Sequence, residues 1–496
     1  MRFPHLSALA FAVFLAGCAS THGLAPASQP RDANATLATK QSFNATSDAQ
    51  FPTQQWWTVL GDPQLDALIE EALAGTPSLA AADARVRQAV ATAGIADSVR
   101  KPSLTGTAQY SGVVIPESVA GPNLGGTYQG VTLLGLDFKW SLDIWGQHAA
   151  DWHAALDQAR AAEIDAQAAR LVLASNIAQT YIVYAQATAA EATANAESTR
   201  ASSLASLSKQ RVDAGLDNQL QLRTAEVTVA AAREQAQAAR QQADLARNAL
   251  AALLGKGPDR GLSIAPPALL KAQPAAVPDV LPSELLGHRP DVVAARWRVE
   301  AAGERIHGAK AAFYPTVNLS ALVGLASGHL SDLFSSDSGL AFGGPALSLP
   351  IFDGGRLRSQ LSKTDAEYDL AVADYDQTLV GAVHEVADAV VSTRALDAQL
   401  ATANEGRASA QHAYDLSTAR YRAGLGTQLD VLVAQRALFQ VDQTLDTLRA
   451  QRLGATVALQ RALGGGLAIA HPIDLSNATS SVTTSSTSPS ATSHTP

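Results

Sequence analysis

A single cysteine in 496 residues excludes a disulfide framework and a thiolate zinc cage. The single methionine is the initiator. Aromatic residues make up only 5% of the chain and charged residues only 16%. Positive charge is in short supply: the formal net charge is −9, whereas a nucleic-acid binder would want a basic face. Long stretches have neither glycine nor proline. Alanine fills the space, with 30 among the 100 residues from 151 to 250. It buries little apolar area per residue, so the segment is better suited to long, closely packed helices than to a thick globular core.

The start of the chain reads as a secretory signal over residues 1–17. Arg2 precedes an apolar run from Leu6 to Ala16, too short and wrongly flanked for a spanning helix. Leu15-Ala16-Gly17-Cys18 matches a lipoprotein signal, in which Cys18 becomes the first mature residue and carries diacylglycerol and an N-acyl chain. Ala19, rather than an aspartate, follows it and points to the outer membrane of a bacterium. Acyl chains contribute ~0.8 kcal/mol per buried methylene, so two or three anchor stably. Residues 18–55 are expected to be a tether to that lipid. Residues 465–496 are expected to form a short further segment and a disordered Ser/Thr-rich tail.

Between these ends the chain is duplicated. An offset of 213 aligns Pro77–Leu104 with Pro290–Val317 without gaps. Ser141-Leu142-Asp143-Ile144-Trp145 matches Ser348-Leu349-Pro350-Ile351-Phe352 at an offset of 207. Ala214-Gly215-Leu216 matches Ala423-Gly424-Leu425, and Leu254-Gly255 matches Leu463-Gly464, both at 209. Length alone suggests about three domains. The matches instead give two units, 56–255 and 283–464, joined by a proline-rich linker over 256–282.

Each unit predicts a helix, two strands and a long helical hairpin. The first has a helix over 77–101, strands over 103–115 and 127–145, and a hairpin over 147–254. The second has a helix over 290–312, strands over 315–327 and 339–352, and a hairpin over 356–463. Prolines 77 and 290 suit helix starts, and prolines 102 and 315 forbid continuation. From Leu134 to Ile144, apolar residues alternate with Gly135, Asp137, Lys139, Ser141 and Asp143. That length and period suit a tilted strand crossing an outer membrane. Trp140, Trp145, Phe313, Tyr314 and Phe352 are candidates for an interfacial aromatic girdle. From Gln147 to Ala214 there are 68 residues without Gly or Pro, enough for a helix ~100 Å long. In the return arms, Leu222 to Leu253 and Val431 to Leu448 keep a 3-4 apolar step, broken later at Arg452.

Four spanning strands cannot close a barrel, and an open edge in lipid leaves backbone groups unsatisfied, so the chain is expected to oligomerise. Two copies give eight strands, whose lumen side chains fill; three give twelve, with more room inside. The fold class is mixed α and β, a transmembrane barrel continuous with a helical tube, and such an object is a conduit. A lipid-anchored coiled-coil tether is the bland alternative, but it needs no membrane strands. An enzyme is not expected. The eleven histidines are scattered, His384-Glu385 lacks the second histidine of a zinc protease, and no serine sits in a nucleophile elbow. No metal site is expected.

The sequence resembles the TolC-type outer-membrane factors, in the lipoprotein branch serving RND (resistance-nodulation-division) efflux pumps. The resemblance rests on Trp56-Trp57, Gly61-Asp62-Pro63-Gln64-Leu65, Arg289-Pro290-Asp291, Ala311-Ala312-Phe313-Tyr314-Pro315, Leu349-Pro350-Ile351-Phe352-Asp353-Gly354-Gly355 and Arg420-Tyr421-Arg422-Ala423-Gly424. It implies a homotrimer with a twelve-stranded barrel, a periplasmic coiled-coil barrel, and an equatorial belt built from residues near 62–74, the linker and the chain end. It implies no cofactor beyond the lipid. The implied partners are outer-membrane lipid, a periplasmic membrane-fusion adaptor and an inner-membrane RND pump, with drugs and toxic small molecules as cargo. Type I protein secretion, or another ABC-type exporter, is the alternative within the same class.

A channel needs an end that closes. The hairpin turns are furthest from the strands, and charge gathers there: Arg211, Asp213, Asp217, Arg420, Arg422 and Asp430, around Gly215, Leu216, Gly424 and Leu425. In the family these tips also contact the adaptor. Salt bridges between neighbouring hairpins are expected to hold the ring shut; the alternative is a set of solvated helix ends.

Overall fold

The computed structural model describes residues 21, 23–31, 52–114, 116–121, 126, 128–271 and 288–466. The signal segment, Cys18, most of the tether, part of the linker and residues 467–496 lie outside the described residues. In chain order the helices and strands are α1 (Pro63–Gly75), α2 (Pro77–Val99), β1 (Ser103–Val114), α3 (Glu117–Ala120), β2 (Tyr128–Leu142), α4 (Gln147–Asp213), α5 (Gln219–Leu253) and α6 (Pro258–Leu262). The second half adds α7 (Pro290–Ala311), β3 (Thr316–Ser327), β4 (Gly339–Ser348), α8 (Arg356–Arg422) and α9 (Gln428–Ala462).

The helices stand as four columns. α4, with 67 residues, is ~100 Å long and forms the spine. On one side it packs against α2 and then α5, and on the other against α7 and then α9; α8 lies beyond α7 and α9. Each stacked column has a glycine joint. Gly255 closes α5 with φ +68°, and a Cβ there would lie 2.8 Å from Pro77 Cδ. Gly464 closes α9 with φ +91°, and a Cβ there would lie 1.8 Å from His288 O. Both a left-handed backbone and a close approach demand glycine. The matched Leu-Gly pairs of the two repeats are therefore the points where one helix is stacked on another.

The strands form one antiparallel sheet in the order β1-β2-β3-β4. Its register places Leu104 opposite Phe138, Ala108 opposite Leu134, Leu136 opposite Val323 and Trp140 opposite Leu319, so these share an apolar face. Ser103, Lys139 and Ser320 share the other face, which is mixed: Thr105 and Asp137 lie in one row with Leu322 and Phe342, and Ser141 lies opposite Asn318. A continuous apolar face backed by one that carries charged and polar side chains suits strands between lipid and a wet lumen. Both outer strands, β1 and β4, pair on one side only among the described residues.

Two strands stop short of expectation. β2 ends at Leu142 rather than 145, because Asp143 turns to the next helix: its carboxylate accepts from the backbone N–H of His148 at 3.1 Å and of Ala149 at 2.7 Å. β4 ends at Ser348 rather than 352. Pro350 has no N–H for the ladder, and Asp353 accepts from the N–H of Gly355 at 3.0 Å and Leu357 at 2.9 Å to start α8. The first aspartate thus plays the same helix-starting part as the second.

The main apolar core lies midway along the columns, at the belt. Trp56, Trp57, Leu65, Leu68 and Ile69 pack on Ile177, Tyr181, Leu250 and Leu453. Asp62 caps α1 by accepting from Gln64 and Leu65 N–H, and also accepts from the buried Tyr181 hydroxyl at 3.0 Å. The Gln64 side chain bonds both backbone groups of Ala265, at 2.9 and 3.0 Å. The Gly-Asp-Pro-Gln-Leu motif is thus a clip holding α1 and the linker to the spine. Arg452, which breaks the apolar step of α9, is buried and bonds Asp397 of α8 at 2.7 Å.

Candidate functional site at the hairpin tips

Both tips are closed by the same local device. In the first, Leu216 N–H donates to Arg211 O at 2.8 Å across Gly215 at φ +74°. In the second, Leu425 N–H donates to Arg420 O at 2.8 Å across Gly424 at φ +77°. These are glycine-closed helix ends, and the return helices begin at once on capping boxes. Asn218 with Gln221 starts α5; Thr427 with Asp430 starts α9. The turns leave Leu216 and Leu425 exposed, with Leu220 and Leu429 beside them.

Of the six charged candidates, the structure brings Arg211 and Asp217 together. Arg211 Nε donates to Asp217 Oδ2 at 2.8 Å and Nη2 to Oδ1 at 3.4 Å. The third member was not among the candidates. Tyr421 of α8, almost wholly buried, donates its hydroxyl to Asp217 Oδ2 at 2.6 Å. Arg211 also lies over the Tyr421 ring, 4.7 Å from its centre, and donates to the Tyr421 carbonyl at 3.4 Å. This clasp ties the first hairpin to the second within one chain. The Arg211 guanidinium, and then the Tyr421 hydroxyl, hold the Asp217 carboxyl below its ordinary value. Burial, and then the bond to Asp217, push the Tyr421 phenol up.

The other four charges are used locally. Asp213 pairs with Lys209 one turn back at 3.0 Å, both exposed. Asp430 accepts from Thr427 N–H and Oγ1, each at 2.8 Å, which lowers its pKa. Arg420 donates to the Leu425 carbonyl at 3.3 Å. Arg422 is exposed and has no ion pair among the described residues.

Above the clasp the seam between α4 and α9 is polar. Gln428 donates to Ser208 Oγ and Gln221 O, both at 2.8 Å. Gln435 donates to Glu197 at 2.7 Å, and Thr193 to Asp446 Oδ2 at 2.7 Å. Burial pushes the Asp446 carboxyl up. One small apolar cluster, Leu204, Tyr421 and Val431, interrupts these polar contacts near the tip. Hydrogen bonds between long polar side chains can be exchanged for water more readily than packed apolar surface can be exposed.

The aromatic candidates sit where strands meet helices. Trp145 and Tyr314 stack with centres 4.7 Å apart, and Trp145 Nε1 donates to Pro315 O at 2.8 Å. Phe352 is 91% exposed. Trp140 is half-buried and donates to Arg100 O at 3.1 Å. Phe313 is a correction: it is buried with Ile306, Leu357 and Leu361, inside the helical layer rather than on its surface. The last turn of α7 turns it inward against α8 while Tyr314 faces out. Cys18 lies outside the described residues.

A family model described as "Outer membrane efflux protein" matches residues 68–256 and 281–465. The chain is 40% identical over 367 residues to the fusaric acid resistance protein FusA of Burkholderia cepacia, covering 73% of this chain and 69% of that one. It is 32% identical over 472 residues to the pyoverdine export outer membrane protein OpmQ of Pseudomonas aeruginosa, covering 94% and 98%. The crystal structure of the outer membrane protein VceC of Vibrio cholerae superposes with a TM-score of 0.77 at 36% identity, covering 84% and 100%.

Proposed function

The chain belongs to the outer membrane efflux protein family, and on that premise we propose that it works as a lipid-anchored homotrimer, twelve strands around one lumen, whose periplasmic end is shut by the Arg211–Asp217–Tyr421 clasp. It is an efflux channel of the outer membrane with the TolC-like α/β fold, not an enzyme.

One observation carries the proposal. A sheet with one apolar face, and a second face that carries Asp137, Lys139 and Asn318, has both edges unpaired among the described residues, and it continues directly into helices ~100 Å long. An unpaired edge is intolerable in lipid, and three copies close it into a barrel wide enough to pass a solute. The helical columns repeat the logic, since α2 and α5 at one side and α8 at the other carry many exposed side chains among the described residues, open to neighbouring copies.

The exposed Leu216, Leu220, Leu425 and Leu429 form an apolar rim at the tips and suit a periplasmic adaptor. Arg422 and Asp213 flank that rim and suit its polar contacts. The pump behind the adaptor is of the RND class, and the cargo is toxic small molecules, as the name of the fusaric acid resistance relative suggests. Cys18 carries the acyl chains.

The test is dye efflux from cells whose own outer-membrane channel has been deleted and which supply a cognate adaptor and pump. The wild-type chain restores efflux, and a chain with Leu216 and Leu425 changed to aspartate does not, though it reaches the outer membrane. Normal efflux by that variant would overturn the assignment of the rim.

A further inference from the structure

Between the belt and the sheet, α4 forms the floor of a groove of about 360 Å³ that runs between α2 and α7. The α4 residues that line it are alanines apart from Asp151, Gln158 and Asp165. Arg85 of α2 stands on one wall, and Arg298 and Arg305 of α7 stand on the other. Arg298 pairs with Asp165 through Nη2. Arg85 is exposed and has no hydrogen bond or close ion pair among the described residues. In a chain of net charge −9, this groove holds three arginines against two aspartates.

Duplication sets two of the arginines level. The offset of 213 that aligns Pro77 with Pro290 also carries Arg85 onto Arg298. Arg85 lies 14 residues before the end of α2 and Arg298 lies 13 before the end of α7, so each is about 20 Å from the sheet. They stand on opposite walls of one groove at one height. The direction in which it opens follows from the turn of α4. Asp151, Gln158 and Asp165 are seven apart, and two more such steps reach Gln179, which lines a second groove at the belt with Ser175 and Asn176. Ile177 and Tyr181, which receive the belt, stand two residues to either side of Gln179, about 200° round the helix. The belt wraps the outside of the tube, since inside it would block the passage. The opposite face of α4, with both grooves, is then the inner wall.

From this placement we propose that the groove is a binding site on the lumen wall for small organic carboxylates, with Arg85 and Arg298 clamping the carboxylate and the alanine floor of α4 taking a flat apolar body. The proposal names a cargo class and rests on the trimeric channel proposed above. A guanidinium presents a planar fork of N–H donors that matches a carboxylate, and Arg298 keeps donors to spare after its bond to Asp165. The volume stands at the small end of the range for small-molecule sites, ~300–1,000 Å³. Exposure of Arg85 keeps binding weak, as a conduit requires: cargo must enter a site favourably and still leave it. Three copies place three such clamps at one level of the lumen.

The test uses the full-length channel purified from outer membranes in detergent. Binding of para-fluorobenzoate is followed by broadening of its fluorine NMR line, for wild type, R85A, D165N and R240A, the last an exposed arginine of α5 far from the groove. R85A should bind ~5-fold more weakly and R240A as wild type. D165N, which frees Arg298 and removes a negative charge, should bind more tightly than wild type, a gain that damage to the fold does not produce. Equal binding by wild type and R85A would overturn the site, and so would equal binding of uncharged para-fluorobenzamide. In planar bilayers, benzoate should reduce the open-channel current of wild type more than that of R85A. Binding in detergent with equal block of the two currents would overturn the placement on the lumen wall. The channel reading is scored separately, by the mass of the same samples and by conductance. A trimer that conducts but does not distinguish benzoate from benzamide overturns the site alone, and a wild type that neither assembles nor conducts overturns the channel.

Discussion

Replacing Tyr421 by phenylalanine removes one hydroxyl and leaves the ring in place over Arg211 and against Leu204 and Val431. The bond lost is the 2.6 Å contact to Asp217, between a nearly buried donor and an ionised acceptor. Hydrogen bonds to charged groups contribute ~1.5–3 kcal/mol. Asp217 keeps Arg211, so no carboxylate is stranded, and the lower end of that range, ~1.5–2 kcal/mol, is the appropriate figure. At ~1.4 kcal/mol per factor of ten, each clasp should shift toward open by ~10–30-fold. If three copies open together the factors multiply, to ~10³-fold or more. The assay is open probability of the purified channel in planar bilayers, with thermal unfolding as a check on the fold. Tyr421→Phe should open markedly more often than wild type at an unchanged melting temperature. Asp430→Ala separates the clasp from a general effect of charge at the tip. It removes half of the capping box of α9 but no contact between hairpins, so gating should stay near wild type. Equal open probabilities for Tyr421→Phe and wild type, or equal gains for both variants, would refute the reasoning.

Acid should act on the clasp and the seam in opposite senses. Asp217 titrates below its unfolded value near ~3.9, so the clasp is fully present above that pH and is lost only as pH falls through the lower folded value; open probability should therefore rise only below about pH 4. Asp446 titrates above its unfolded value near ~3.9, so its proton favours the folded seam, and the stability gained as pH falls through that raised value should vanish in Asp446→Asn, by thermal unfolding followed from about pH 7 down to about pH 4. Gly464→Ala forces a Cβ to 1.8 Å from His288 O in a left-handed backbone and should cost ~2 kcal/mol or more, with a lower melting temperature and less trimer on gels, whereas Gly381→Ala, in open space, should not. Cys18→Ser should abolish palmitate incorporation and reduce the amount of chain recovered with the outer membrane.

How much of this could be read in the chain follows from the range of each interaction. The long helices were legible because 67 residues without Gly or Pro in α4, and without Pro and with Gly only at 381 and 406 in α8, admit little else, and prolines 77 and 290 mark starts that need no distant partner. The sheet was legible because alternation over eleven residues has one structural meaning. Its ends were not: Leu347–Ile351 alternates straight past Pro350, and only the absent N–H, together with the pull of Asp353 on the helix start, stops the strand. Phe313 and Tyr314 are adjacent aromatics with opposite fates, decided by which side of a helix end meets α8. Tyr421 was hidden between two arginines, which read as a wet helix end. A weak signal was present, since Tyr414 and Tyr421 lie seven residues apart on one helix face, and both line the small cluster with Leu204 and Val431. What no local pattern supplies is the partner, because Asp217 stands 204 residues away in the other repeat. Duplication is what makes that pairing possible. Each repeat builds a hairpin of the same length from its own joint, so the two tips arrive at the same level. The clasp then needs two differences between otherwise matched ends: Asp217 stands where the second turn has Gly426, and Tyr421 stands where the first long helix has Val212. The clasp is therefore written in the difference between the repeats, while the fold is written in their likeness.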